Sequence, residues 1–123
     1  EGIELCRAEK VDLILAVGGG SVVDSAKAIA LGVPYSGDVW DFYVGGVKPQ
    51  EALPVGTILT IAATGSEASN STVITNTDDP DNWIKTGHNS DWVRPVFSIM
   101  NPDLRISLQR ASWIFSPIVL NVM

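Results

Sequence analysis

Three consecutive glycines and a serine, Gly18 to Ser21, stand where an apolar run at residues 11–17 ends and a helical pattern begins. Glycines at such a turn let the backbone approach a ligand closely, because no Cβ atom stands in the way. The first N–H groups of the following helix then point at that ligand, an arrangement suited to a phosphate. A tight strand-to-helix turn without any ligand explains the same glycines, and from this motif alone both interpretations stay open.

Two formal phosphate-binding signatures do not match at this turn. The dinucleotide fingerprint G-x-G-x-x-G starts correctly with Gly18 and Gly20, but Val23 stands at the position of its third glycine. The P-loop signature needs a Gly-Lys-Ser/Thr sequence, which the chain lacks. The local motif therefore neither identifies a class of phosphate site nor excludes a turn without a ligand.

The segments on both sides of the glycines have patterns of regular structure. The continuous apolar run VDLILAV at 11–17 is typical of a strand buried on both faces, as in parallel sheets covered by helices. Ser21 is placed to cap the helix that follows, and Gly32-Val33-Pro34 is placed to end it. The apolar positions that recur at helical spacing are Val22, Val23, Ala26, Ile29 and Ala30.

The remaining chain repeats this alternation. Residues 1–10 are consistent with the end of an amphipathic helix, and a second apolar strand, VGTILTIAA at 55–63, runs into a small-residue turn. Further strands are predicted at 72–75 and 94–104, and a turn is predicted over TNTDDPDN. The fold class expected is α/β, with parallel strands and flanking helices.

Composition limits the possible partners. The formal net charge of −6 argues against binding to nucleic acid or to an anionic membrane surface. No apolar run approaches the roughly 20 residues of a membrane span. Cys6 is the single cysteine, and no segment has the pattern of a signal peptide, so we expect a cytoplasmic protein.

The longer pattern resembles a known family. Gly18-Gly19-Gly20-Ser21, Asp24 and Lys27, followed by TIAATGSE at 60–67, are similar to the iron-dependent (group III) alcohol dehydrogenases, particularly the NAD(P)H-dependent butanol dehydrogenases. The likeness includes GVPYSGDVWDFY and VRPVFSIMNPDL and covers residues 1 to about 108. It implies part of a Rossmann-like nucleotide-binding domain that holds NAD(P).

In this family the glycine-serine turn binds the cofactor pyrophosphate, which implies that role for Gly19, Gly20 and Ser21. The aspartate three residues after the serine, Asp24, is expected at the nicotinamide end of the cofactor.

Four further residues are implied by the same resemblance. Thr60 and Thr64, from the second turn, are expected near the adenosine and the diphosphate, and Val73 is expected to line the pocket. Lys85 is the best match for a lysine that contacts the ribose on the nicotinamide side.

Asp24 and Lys27 also have structural interpretations. A carboxylate early in a helix is favoured by the helix dipole, whatever else it does. Lys27 fits a solvated helix residue or a partner of Asp24 better than a catalytic amine.

Other candidate residues have structural explanations as well. Glu67 fits the cap of a short helix. The aromatic cluster Trp40, Phe42 and Tyr43 fits core or subunit packing better than a substrate cage, and His88 fits an exposed loop.

The family's metal, Fe²⁺ or Zn²⁺, is held by an aspartate and histidines of a helical domain, and it polarises the substrate oxygen during hydride transfer. His88 is the only histidine here, so no metal ligand and no catalytic residue is predicted. We expect a partial dinucleotide-binding domain at 1–108 and a divergent tail at 109–123, with the start truncated, the helical metal-binding domain absent and the tail resembling a frameshifted reading.

The resemblance thus implies an oxidoreductase that interconverts a small primary alcohol and its aldehyde, working as a homodimer, of which this chain is a cofactor-binding part inactive alone. The alternative is a non-catalytic nucleotide-binding or oligomerising piece. A dehydroquinate synthase-like lyase is disfavoured by TIAATGSEAS and by the absence of a basic substrate pocket.

Overall fold

This computed structural model describes residues 1–103 and 118–120, the last three as backbone only. The helices are α1 (Gly2–Ala8) and α2 (Gly20–Gly32). The strands are β1 (Leu13–Gly18), β2 (Val55–Leu59), β3 (Ser71–Asn76), β4 (Ile84–Asn89), β5 (Phe97–Ile99) and β6 (Ile118–Leu120). Short 3₁₀ turns lie at Val39–Phe42 and Asp91–Val93.

The larger sheet has the order β5-β2-β1-β6. β1 pairs in parallel with β2, and β2 pairs in parallel with β5, so the carboxyl ends of all three lie at one edge. β6 adds to the other side of β1 in the antiparallel direction. The predicted α/β fold with parallel strands and flanking helices is confirmed.

Several predicted boundaries differ from the observed ones. The strand expected at 55–63 ends at Leu59, and the one expected at 94–104 is the short β5. The divergent tail predicted at 109–123 lies outside the described residues except for β6.

Helix α2 is buried on two sides, which explains its richness in small apolar residues. Val23, Ala26 and Ala30 pack on the sheet residues Ile14 and Val55. A second cluster forms behind α2, and its fully or mostly buried members are Ala28, Leu31, Phe42, Tyr43 and Val93. The predicted packing role of the aromatic cluster is therefore confirmed for its two buried members.

Arg7 fastens α1 to the carboxyl end of α2. Its guanidinium donates hydrogen bonds to the carbonyl oxygens of Gly32 at 2.7 Å, Val33 at 2.9 Å and Tyr35 at 2.5 Å. A cation at this position satisfies carbonyl groups that have no partner within the helix and complements the helix dipole. The opposite, amino end of α2 begins at the glycine turn.

β3 and β4 form an antiparallel hairpin that packs against α2. The predicted turn at its tip is confirmed, but β4 was not predicted. His88 belongs to β4 and not to an exposed loop, and its ring lies against those of Phe42 and Tyr43, at centroid distances of 6.1 and 5.8 Å. In the described part of the chain, no helix is long and apolar enough to cross a membrane.

Candidate nucleotide-binding site

A cavity of about 550 Å³ opens beside the amino end of α2. α2 follows the carboxyl end of β1, the place where open α/β sheets bind ligands. The cavity is lined by Gly20, Ser21, Asp24, Thr64, Ser66, Ser69, Ser71, Val73, Thr75 and Lys85.

The glycine turn forms the inner wall of this cavity. Gly19 is the N-cap of α2, with φ −90° and ψ −168°, and its carbonyl oxygen accepts a hydrogen bond from Val23 N–H at 3.1 Å. Ser21 lies inside the helix and makes no side-chain cap, so the prediction that it caps α2 is wrong. Because the first N–H groups of a helix have no acceptor within it, they are available to an anion at this wall.

The glycines of the turn differ in what surrounds them. A Cβ atom on Gly20 would lie 2.6 Å from Thr64 Cγ2, so this glycine allows the second turn to close against α2. A Cβ atom on Gly19 would meet nothing nearer than Ile61 Cβ at 3.8 Å. The packing of the protein therefore explains the glycine at 20 but not the one at 19.

The hairpin supplies the outer wall through strand periodicity. Ser71, Val73 and Thr75 alternate along β3 and so share one face, which is turned to the cavity. Lys85 lies directly opposite Thr75 on β4 and lines the same cavity. Among the described residues, Lys85 is the one cationic side chain that lines this cavity.

Asp24 joins the two walls. Its Oδ1 accepts a hydrogen bond from Ser66 Oγ at 2.5 Å, and its Oδ2 accepts one from Val73 N–H at 3.2 Å. Its backbone carbonyl accepts a third from Thr72 Oγ1 at 2.9 Å. The residue is therefore a structural tie as well as part of the cavity lining, which goes beyond the helix-dipole role considered from the sequence.

Lys27 is fully buried, so the prediction of a solvated helix residue is wrong. Burial lowers the pKa of its ammonium group, and the nearby carboxylate of Asp24 acts in the opposite direction on that pKa. The two side chains are linked through Ser66 Oγ, which lies 3.1 Å from Lys27 Nζ. The alternative prediction, that Lys27 is a structural partner of Asp24, agrees with this geometry, because Ser66 bridges the two side chains.

Six of the eight predicted site residues line the cavity: Gly20, Ser21, Asp24, Thr64, Val73 and Lys85. Gly19 and Thr60 are not in its lining. Thr60 donates its N–H to the carbonyl of Gly18 at 3.0 Å, which ties the ends of β1 and β2 together. Its Oγ1 is buried and has no hydrogen-bond partner among the described residues.

Four lining residues were missed from the sequence: Ser66, Ser69, Ser71 and Thr75. The serines fall in a short run that follows the second turn, and Ser71, Val73 and Thr75 have strand alternation. Glu67, predicted to cap a short helix, lies in a stretch without one, since residues 61–70 form only turns and bends.

A family model described as iron-containing alcohol dehydrogenase matches residues 1–102. The chain belongs to this family. It is 48% identical over 102 residues to the probable NADH-dependent butanol dehydrogenase 1 of Bacillus subtilis (strain 168), a match that covers 83% of this chain and 26% of that protein.

Solved structures of the family have the same fold. NADH-dependent butanol dehydrogenase A from Thermotoga maritima superposes with a TM-score of 0.80 at 44% identity, over 87% of this chain and 26% of that one. Sulfoacetaldehyde reductase from Bifidobacterium kashiwanohense, solved in complex with NAD⁺, superposes with a TM-score of 0.78 at 32% identity, over 86% and 28%. The chain thus spans about a quarter of the length of these relatives.

A metal centre needs several ligating side chains close together. Within 1–103, no three histidine, cysteine, aspartate or glutamate side chains come together in a way that could hold a metal ion. The metal that gives the family its name therefore finds no ligand set among these residues, and no chemical step is assigned to it here.

Proposed function

We propose that this chain contributes the pyrophosphate and nicotinamide-side part of an NAD(P) site to an alcohol dehydrogenase. The observation that carries the proposal is the cavity itself, where the amino end of α2, a run of hydroxyl side chains and Lys85 face one space. Bound NAD(P) supplies hydride transfer, and the reaction proposed is the interconversion of a small primary alcohol and its aldehyde.

The lining of the cavity fits a dinucleotide pyrophosphate. N–H groups at a helix start and serine or threonine hydroxyls are hydrogen-bond donors for phosphate oxygens. Lys85 adds one positive charge, and Asp24, already held by two donors, is the one carboxylate that the described residues contribute to the lining. Gly19, Gly20, Ser21 and Thr64 belong to the phosphate side of this proposal.

We place Asp24, Val73 and Lys85 on the nicotinamide side of the proposed cofactor site. We place Thr60 on its adenosine side. Val73 is 39% exposed and offers an apolar surface on the cavity wall, suited to a flat ring. The orphaned hydroxyl of Thr60 is a polar group for which the protein supplies no partner in its described part.

We further propose a cytoplasmic homodimer with small-molecule substrates and with no nucleic-acid or membrane partner. The unpaired, buried Cys6 agrees with a reducing compartment, and burial raises the pKa of its thiol, which keeps it unreactive. The negative net charge agrees with the exclusion of nucleic acid.

The test is a titration of the 123-residue chain with NADH and with NADPH, followed by energy transfer from tryptophan to the nicotinamide. We expect saturable binding that Lys85→Met weakens several-fold and that Lys48→Met, on an exposed lysine outside the cavity, leaves unchanged. The difference between the two variants should shrink at high salt, because exposed charges are screened. No binding of either nucleotide, or equal effects of both variants, would contradict the proposed site.

A second assay tests whether this chain by itself turns over an alcohol. Butanol oxidation is followed with NAD⁺ or NADP⁺ and with added Fe²⁺ or Zn²⁺. Turnover would contradict a purely binding module, whereas nucleotide binding without turnover is the result expected of this chain by itself.

A further inference from the structure

The buried ammonium group of Lys27 lies inside a cage of oxygen atoms. Its Nζ donates to the carbonyl oxygens of Ser66 at 2.7 Å, Ser69 at 2.8 Å and Ser71 at 2.7 Å. The hydroxyl of Ser66 is a fourth oxygen, at 3.1 Å. Three protons are thus matched by three carbonyl groups, which fully uses the donor capacity of a lysine.

The segment that makes this cage is also a wall of the cavity. Ser66, Ser69 and Ser71 all line the cavity, and the segment reaches regular structure only where β3 begins at Ser71. Its carbonyl groups converge on the ammonium, although the carbonyl of Ser66 also accepts from Ser69 N–H at 3.4 Å and that of Ser71 from Ser69 Oγ at 3.5 Å. The bonds from the ammonium are the shortest ones to these carbonyl groups, at 2.7 to 2.8 Å. Because hydrogen bonds from a charged donor are stronger than neutral ones, the cation stabilises the path of this segment.

The cage is connected to the ligand-facing side through the serine hydroxyl. Ser66 Oγ lies beside Lys27 Nζ and donates to Asp24 Oδ1, and Asp24 Oδ2 in turn accepts from Val73 N–H. A chain of charge-assisted hydrogen bonds therefore runs from Lys27 through three residues of the cavity lining, namely Ser66, Asp24 and Val73. Lys27 itself is not part of that lining.

We propose that Lys27 is a positioning residue whose ammonium group fills a monovalent-cation cage made by residues 66–71, and that this cage holds the cavity wall and Asp24 in the arrangement that binds the nucleotide. The inference rests on the proposed function. It assigns to the cage a ligand of its own, because a site of three carbonyls and a hydroxyl accepts a small ammonium ion when the lysine side chain is removed.

The experiment compares two variants of the full chain. Lys27→Met keeps the length of the side chain and removes the cation, while Lys27→Ala leaves space for an added amine. NADH affinity and thermal midpoint are measured in sodium chloride, ethylammonium chloride and tetramethylammonium chloride at equal ionic strength. Tetramethylammonium is the matched control, because it has the charge but no N–H donor, and Lys48→Met is the matched lysine variant.

We expect both Lys27 variants to lose about tenfold or more in NADH affinity, with the wild-type chain and Lys48→Met unaffected by the choice of salt. Ethylammonium should restore several-fold affinity and raise the thermal midpoint of Lys27→Ala only, and tetramethylammonium should do neither. A merely structural lysine would lower stability without this amine-specific recovery. Wild-type NADH affinity in both Lys27 variants would overturn the proposal. So would identical effects of ethylammonium and tetramethylammonium on affinity and thermal midpoint.

Ser66→Ala covers the case in which the Lys27 variants fail to fold. It removes the hydroxyl link to Asp24 but leaves the three carbonyl groups, so we expect a folded protein with NADH affinity reduced several-fold. If Lys27→Ala is unfolded and ethylammonium refolds it, the result supports the cage. If ethylammonium does not refold it and Ser66→Ala binds NADH with wild-type affinity, the cage is refuted. If the wild-type chain itself binds no NADH, the proposed function fails, and the amine-specific thermal shift of Lys27→Ala still decides whether the cage exists.

Discussion

Replacement of Gly19 by alanine separates the ligand-binding role of the glycine turn from its packing role. The backbone at Gly19 has φ −90° and ψ −168°, a conformation that alanine adopts freely. The added Cβ would lie 3.8 Å from Ile61 Cβ, an ordinary van der Waals contact. The protein therefore has room for this side chain.

The expected change in folding free energy is small because two effects oppose each other. Alanine is a poorer N-cap than glycine, at a cost of several tenths of a kcal/mol. Alanine also restricts the unfolded chain more than glycine, which stabilises the folded state by about 0.4–1 kcal/mol. We expect the free energy of unfolding of Gly19→Ala to stay within about 0.5 kcal/mol of the wild type.

The neighbouring glycines provide the contrast. A Cβ atom on Gly18 would lie 2.7 Å from Val22 Cγ2, and one on Gly20 would lie 2.6 Å from Thr64 Cγ2. Overpacking of this kind costs about 1–3 kcal/mol. Urea unfolding followed by circular dichroism should thus rank Gly19→Ala well above both other alanine variants in stability.

Nucleotide affinity should follow a different order. In the proposed site, a methyl group at position 19 would keep the pyrophosphate away from the turn, and loss of one hydrogen bond to a charged group costs about 1.5–3 kcal/mol. We expect Gly19→Ala to bind NADH about tenfold or more weakly while it remains as stable as the wild type. Wild-type affinity in this variant would refute close approach of the pyrophosphate to Gly19, and a stability loss above about 1 kcal/mol would show that we misjudged the local packing.

Two other predictions concern stability alone. Burial raises the pKa of Tyr43 to about 12. Between about pH 10 and 12 the phenol therefore loses its proton in the unfolded chain but keeps it in the folded one. The free energy of unfolding should fall as pH rises through this range, by about 3 kcal/mol in total. Urea unfolding at both ends of this range should show a shallower fall for Tyr43→Phe, and equal slopes would contradict the assignment. Arg7→Met removes three hydrogen bonds at the carboxyl end of α2 and should lower the free energy of unfolding by about 2 kcal/mol. NADH affinity should stay unchanged, because the cavity lies at the other end of the helix. A change in affinity as large as the change in stability would show that the two ends are coupled.

Local sequence patterns were sufficient to predict the main elements and the glycine turn. The apolar run, the glycines and the helix rich in small residues are local patterns. For this reason β1, α2 and the start of β2 were predictable within a few residues. The spacing of the two turns also indicated the family, and it led to six residues that the fold brings to one cavity. The ends of the strands were less well predicted, because the ends of β2 and β5 are set by pairing and not by composition.

The roles of Lys27, His88 and the serine segment at 66–71 depend on tertiary packing and could not be predicted from local patterns. No local pattern distinguishes a solvated lysine from one buried in a cage made by residues about forty positions later in the chain. β4 has little apolar alternation and exists through its pairing with β3, which places Lys85 in the cavity and the His88 ring against the aromatic cluster. Burial and hydrogen bonding between distant segments are properties of the packed chain, and they determine which polar residues face the cavity and which hold its walls together.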